Sequence, residues 1–134
     1  MKEAQAQTLF SKYILANYPN ETMAWELKLV KGKSKPFSCV ADHQIASLVA
    51  IENDGLYWKI PDTAAISGFT SPKPFDCMFM KGKGYVVPVF YVARKRKTAY
   101  LIRVEDWIGM EMCADRKSFT EEMCEIAAEE VIEL

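Results

Sequence analysis

The sequence predicts a single α/β domain over residues 1–134, a mixed β-sheet flanked by helices. Two observations carry that prediction. Stretches with apolar residues at helical spacing are interleaved with short runs that are apolar on alternate positions or throughout. The chain has 134 residues, 50% hydrophobic and 26% charged, which is enough to fill one core and too little for two.

Each element follows from a local pattern. In "KEAQAQTLFSKYILANY", Ala6, Leu9, Phe10, Tyr13 and Ile14 share a helix face, and Pro19 requires the helix to end before it. "TMAWELKLV" alternates. Met23, Trp25, Leu27 and Leu29 take one face of a strand, and Ala24, Glu26 and Lys28 take the other. "KGKSKP" is a loop. Asp42 serves as N-cap of a second helix with the stripe Ile45, Leu48, Val49 and Ile51, which "NDG" at 53–55 stops.

"LYWKI" reads as a strand ending at Pro61, and "DTAAISGFTSPKP" as a loop long enough to carry a role. Three more strands follow, "FDCMFM", "YVVPVFYVA" and "AYLIRV", separated by the basic turns "KGKG" and "RKRKT". Pro88 places the middle one at an edge or a bulge. A short helix begins near Glu105. A last one covers "SFTEEMCEIAAEEVIEL", with a Ser118–Glu121 capping box and Met123, Ile126, Ala127 and Val131 on one face. The predicted order is α-β-α-β-β-β-β-α.

Composition excludes several classes. The apolar runs "IASLVAI" and "YVVPVFYVA" are too short to cross a bilayer, and "MKEAQAQTLF" lacks the apolar core of a signal peptide. The expectation is a soluble, cytoplasmic protein with no membrane partner. Cys39, Cys77, Cys113 and Cys124 form no C-x-x-C pair and accompany a single histidine, so free thiols are expected in place of a zinc site or a disulfide framework. Residues 1–104 carry 15 basic against 8 acidic side chains; residues 105–134 carry 2 against 10. A basic working surface with an acidic flank is one reading of that split, and chance placement of acidic helix faces is the other.

The chemistry-bearing candidate is Glu26-Leu27-Lys28. Side chains two apart in a strand point the same way, roughly 6.5–7 Å apart. A carboxylate there can hold Mg²⁺, Leu27 can lend its backbone carbonyl, and the Lys28 ammonium can orient water or stabilise charge on a phosphate. An ion pair on a wet strand face explains the same spacing. A second acid is needed. Asp76 early in "FDCMFM" and Asp62 after "YWKIP" are the candidates, each also readable as a turn residue. His43 and Gln44 open the second helix, where they can meet phosphate or metal-bound water or simply face solvent. Lys31, Lys33, Lys35, Lys73, Lys81 and Lys83, with residues 94–97, can follow a phosphate backbone.

Taken together these stretches resemble the PD-(D/E)XK nuclease superfamily, with its restriction-endonuclease-like core, in the form of the Holliday-junction resolvases and small phage proteins similar to them. "WELKL" resembles the E-x-K strand. "KGKSKPFSCVADHQIASL" resembles the basic loop and the His-Gln helix that follow it, so the likeness spans roughly residues 22–52. The resemblance implies a Mg²⁺- or Mn²⁺-dependent endodeoxyribonuclease acting on branched DNA as a homodimer in a bacterial cell. The exposed sheet edge or the apolar face of the last helix would form the dimer interface. Glu26 would be a metal ligand, Lys28 the catalytic lysine and Gln44 a helper near the scissile phosphate. The family's aspartate normally precedes E-x-K; here "KPFDCMFM" follows it, which implies a circularly permuted core with Asp76 beside Glu26. Glu3 on the first helix is the substitute acid. The competing reading is a non-catalytic phage accessory protein on the same fold that binds nucleic acid or a protein.

Overall fold

The computed structural model describes residues 1–61 and 75–134. Asp62 and Lys73, and the predicted long loop between them, lie outside the described residues. Thirteen elements follow in order: α1 (Glu3–Asn17), β1 (Met23–Val30), β2 (Ser34–Pro36), a 3-10 turn (Phe37–Cys39), α2 (Asp42–Asn53), β3 (Leu56–Lys59), β4 (Cys77–Met80), β5 (Lys83–Val92), β6 (Arg96–Arg103), α3 (Val104–Cys113), β7 (Ser118–Thr120), α4 (Glu121–Ala127) and β8 (Glu130–Glu133).

The main sheet has the order β1-β5-β6-β8, with β1 parallel to β5 and the other neighbours antiparallel. It is the predicted mixed sheet. Alternation of side chains divides the core into two layers. Leu27, Leu29, Tyr85, Val87, Val89, Ala99, Leu101 and Ile132 face α1, where Ala6, Phe10 and Ile14 meet them. Val30, Val86, Phe90, Tyr100 and Ile102 face the opposite way, against Leu48, Val104, Trp107, Phe119 and Cys124. Trp107 and Phe119 lie edge-on at 5.0 Å, and Phe37 meets Trp107 edge-on at 5.4 Å, the arrangement that aromatic quadrupoles favour. Close approach of backbone fixes how α2 sits on the sheet: a Cβ on Gly84 would stand 2.7 Å from the Leu48 carbonyl oxygen.

Three expectations are corrected. Pro88 lies in β5, an interior strand, not at an edge. It is paired with Lys28 across the parallel ladder, while the β5–β6 ladder keeps one register on either side of it and skips Val87 and Pro88. A strand flanked on both sides thus absorbs the missing N–H locally.

The last helix is the second correction. Ser118–Thr120 is strand β7, paired with β2; Thr120, not Ser118, caps α4, accepting from Met123 N at 3.4 Å. The helix stops at Ala127, and Glu130–Glu133 becomes β8 because Val131 and Ile132 complete the sheet beside β6.

The third concerns α2. Its N-cap is Ala41, and Asp42 is the first helical residue.

Among the described residues β3 and β4 pair only with each other, as a two-stranded ribbon. No helix among the described residues is long and apolar enough to cross a membrane.

Candidate active site

β1 is an edge strand, so half of its backbone groups face away from the ladder. At Leu29 both outward groups are taken by side chains. The N–H donates to Glu3 Oε2 at 3.0 Å, and the carbonyl accepts from Lys35 Nζ at 2.8 Å. Strand alternation then turns the N–H and C=O of Leu27 and Trp25 outward as well. Beside them opens a cleft of about 380 Å³ lined by Glu3, Ala4, Gln7, Trp25, Glu26 and Leu27. Trp25 Nε1 donates to Gln7 Oε1 at 3.3 Å, fixing the start of α1 against the strand.

Glu26 and Lys28 share a strand face as predicted, and they touch: Lys28 Nζ lies 3.0 Å from Glu26 Oε1. Lys28 is 17% exposed and Glu26 28%, so the pair is sheltered yet reachable from solvent. Glu3, Lys28 and Lys35 are all close enough to act on the Cys39 thiol. Burial raises that thiol's pKa, Lys35 and Lys28 pull it down, and Glu3 pushes it up. The edge of β1 therefore gathers two carboxylates, Glu3 and Glu26, with two ammonium groups beside them.

Among the described residues no group of three or more His, Cys, Asp or Glu side chains is placed to hold a metal ion. Mg²⁺ does not require one. It is held by one or two carboxylates, with water and substrate phosphate completing the shell. Glu3, Glu26 and Leu27 line one cleft, and the Leu27 carbonyl is turned outward by strand alternation.

The other predicted residues are distributed as follows. Gln44 lies in the first turn of α2, where its Oε1 accepts from Ala41 N at 2.9 Å, so its polar end caps that helix. His43 is exposed in the same turn, and its carbonyl accepts from Ser47 Oγ at 2.9 Å. Asp76 is exposed on the approach to β4, where its carbonyl accepts from Ile60 N at 2.9 Å. It belongs to the ribbon and is not among the described residues lining the cleft with Glu26.

The lysines fall at two ends of the sheet. Lys31 and Lys33 are exposed after β1, at the end where β5 runs into exposed Arg94 and Lys95. Lys81 and Lys83 stand at the opposite end, roughly 23 Å away along an eight-residue strand. Lys35 is half-buried with one N–H committed to Leu29.

Two features carried no sequence signal. Glu52 Oε1 accepts from Arg103 Nε and from Gly84 N, each at 2.9 Å, tying α2 to the sheet. Part of the acidic flank also bonds within the fold. Glu130 accepts from the Tyr13 and Tyr18 hydroxyls, Glu133 from Thr98, and Glu121 from Arg96 and Tyr100.

Comparison with protein-family models, curated proteins and solved structures finds no match to this chain.

Proposed function

We propose that the chain is a metal-dependent endodeoxyribonuclease of resolvase type on a restriction-endonuclease-like core, acting on branched DNA in the cytoplasm of a bacterial host. The single observation that supports it is the β1 edge, where Glu3 and Glu26 line one cleft and Lys28 is ion-paired to Glu26 at 3.0 Å. Glu3 is the second acid in this reading, in place of Asp76. Glu3 sits in the first turn of the 15-residue helix α1.

Glu3 and Glu26, with the Leu27 carbonyl, would hold Mg²⁺ or Mn²⁺. When bound, such an ion neutralises charge on the attacking and leaving oxygens of phosphodiester hydrolysis. Lys28, held in place by Glu26, orients the attacking water and stabilises charge developing on the phosphoryl oxygens. Lys31, Lys33, Arg94 and Lys95, at one end of the sheet, engage the phosphate backbone. A second reading, a non-catalytic binding protein, is favoured by a different observation: Tyr57, Trp58 and Phe79 of the ribbon are exposed.

The test is cleavage of a labelled four-way junction, linear duplex and single strand with Mg²⁺, Mn²⁺ or EDTA. Wild type is expected to cut the junction only with metal. Lys28→Ala, Glu26→Gln and Glu3→Gln are each expected to lose about 100-fold or more in rate while retaining the fold. Loss in Asp76→Asn with full activity in Glu3→Gln would transfer the second-acid role to Asp76. Wild type that binds DNA without cutting it would establish the second reading instead.

A further inference from the structure

The β5–β6 hairpin reaches beyond its neighbours in the main sheet. Its ladder continues through the pairs Tyr91–Lys97 and Val92–Arg96. β1 stops at Val30, opposite Phe90, and β8 at Glu133, opposite Thr98. Residues 92–96 are all exposed. The overhanging pairs extend roughly 7 Å and the turn adds to that. The major groove of DNA is about 8.5 Å deep and admits a two-stranded ribbon; the minor groove, about 6 Å wide, is too narrow for one.

The tip is basic and strained. Lys95 N donates to Val92 O at 3.0 Å, closing a turn with Arg94 in its third position. Arg94 has φ 61°, and among the described residues it is the one non-glycine with a positive φ. Glycine or asparagine takes that position at lower cost, because a larger side chain crowds the left-handed backbone. Residues held in such backbone cluster at binding and catalytic sites. Arg94 has no internal use to explain it: it is exposed, and its guanidinium makes no hydrogen bond or ion pair among the described residues. Of the acids on the hairpin's flank, Glu121 holds Arg96, and Glu133, which lines a cleft with Arg94 and Lys95, accepts from Thr98. Exposed Glu122 and Glu125 line the α4 side with Arg96. The positive face is therefore the tip and the β1 side, where Arg94 and Lys95 stand with Lys31 and Lys33 just beyond Val30.

We propose that the β5–β6 hairpin enters the major groove of a duplex DNA arm and that Arg94 reads a guanine edge there. Its planar fork matches guanine O6 and N7, and a turn that fixes its backbone fixes where that fork points. Lys95, Lys31 and Lys33 stay on the phosphates. The inference rests on the proposed function for its DNA partner and sharpens the part Arg94 plays, from one phosphate contact among several to the residue that distinguishes bases.

The test is binding of a four-way junction and a linear duplex in EDTA, each made with ordinary guanine and again with 7-deazaguanine throughout, which removes the N7 acceptor. Wild type is expected to bind ordinary DNA about threefold or more tighter than the 7-deazaguanine form. Arg94→Gly is expected to lose about tenfold or more on ordinary DNA and to bind both forms alike. It should also melt about 2–4 °C higher as the strain is relieved, whereas Arg94→Lys should not. Arg94→Gly that weakens binding to both forms by the same factor makes Arg94 a phosphate contact and overturns the proposal. So does Arg94→Gly that binds as tightly as wild type; in both cases the DNA reading stands. Wild type that binds none of these DNAs overturns the proposed function and this inference with it. Wild type that discriminates the two forms but never cuts with metal supports the inference and overturns the nuclease reading alone.

Discussion

Lys28 shows how one residue's role depends on what stands at its strand edge. The E-x-K spacing was legible in the sequence because period-two alternation forces both side chains to one face. Its neighbours were less so: Glu3 entered only as the substitute acid that the resemblance implies, and Lys35 only as a loop lysine, because the two arrive from other elements and meet at Leu29 once α1 and β2 have docked. Other residues separate by burial. Cys124 is fully buried and burial pushes its thiol up to about 12, whereas Cys77 and Cys113 are exposed. A thiol-reactive disulfide dye at mild alkaline pH should therefore label Cys77 and Cys113 quickly, Cys39 slowly and Cys124 only on unfolding, as read by mass spectrometry of the labelled peptides. Glu121 sets an acid limit. The Arg96 guanidinium holds its carboxyl below the usual range. A carboxyl whose pKa is lower folded than unfolded adds stability above its unfolded value, and that stability disappears as pH falls through the folded one. Urea midpoints should thus fall on acidification below about pH 4.3, and Glu121→Gln should flatten that fall. An unchanged slope in Glu121→Gln would assign the acid sensitivity to another carboxylate.

At the scale of elements, the patterns that repeat within one segment were readable and those that depend on a distant partner were not. The first helix is predicted from Phe10 and Ile14 and is found as α1 with both buried. The β1 alternation is likewise found, with Leu27 and Leu29 against α1. The C-terminal stretch reads as one helix because "TEEMCEIAAEE" has helical spacing and strong helix formers. Pairing of Ala99 with Ile132 and of Tyr100 with Val131 overrides that propensity and turns its end into β8. The Ser118–Glu121 signature is displaced by two residues because Ser118 pairs with Pro36 in the β2–β7 ladder. That leaves Thr120 as the cap of a seven-residue helix. Thr120→Ala should cost about 0.5–1 kcal/mol in urea denaturation, and Ser118→Ala much less. Equal losses would mean that the capping is shared.

For the whole molecule, the α/β class and the mixed sheet follow from the order of patterns, whereas the sheet order β1-β5-β6-β8 depends on non-local pairing that no single segment encodes. That order makes β1 an edge strand, and the edge is what lets α1 bring the Glu3 carboxylate to the Leu29 N–H. Of the acids in residues 105–134, Glu121, Glu130 and Glu133 bond phenols, a hydroxyl and a guanidinium within the fold, while Glu105, Asp106, Glu111, Asp115, Glu122 and Glu125 are exposed. The central claim is that two acids far apart in the chain, Glu3 and Glu26, share one divalent ion. Anomalous diffraction from a crystal soaked in Mn²⁺ measures this directly. One Mn²⁺ peak within about 2.0–2.4 Å of a carboxylate oxygen from each of Glu3 and Glu26 is the predicted result. A Mn²⁺ bound by Asp76 without Glu3, or no Mn²⁺ beside Glu26 at a concentration that supports cleavage, would contradict it.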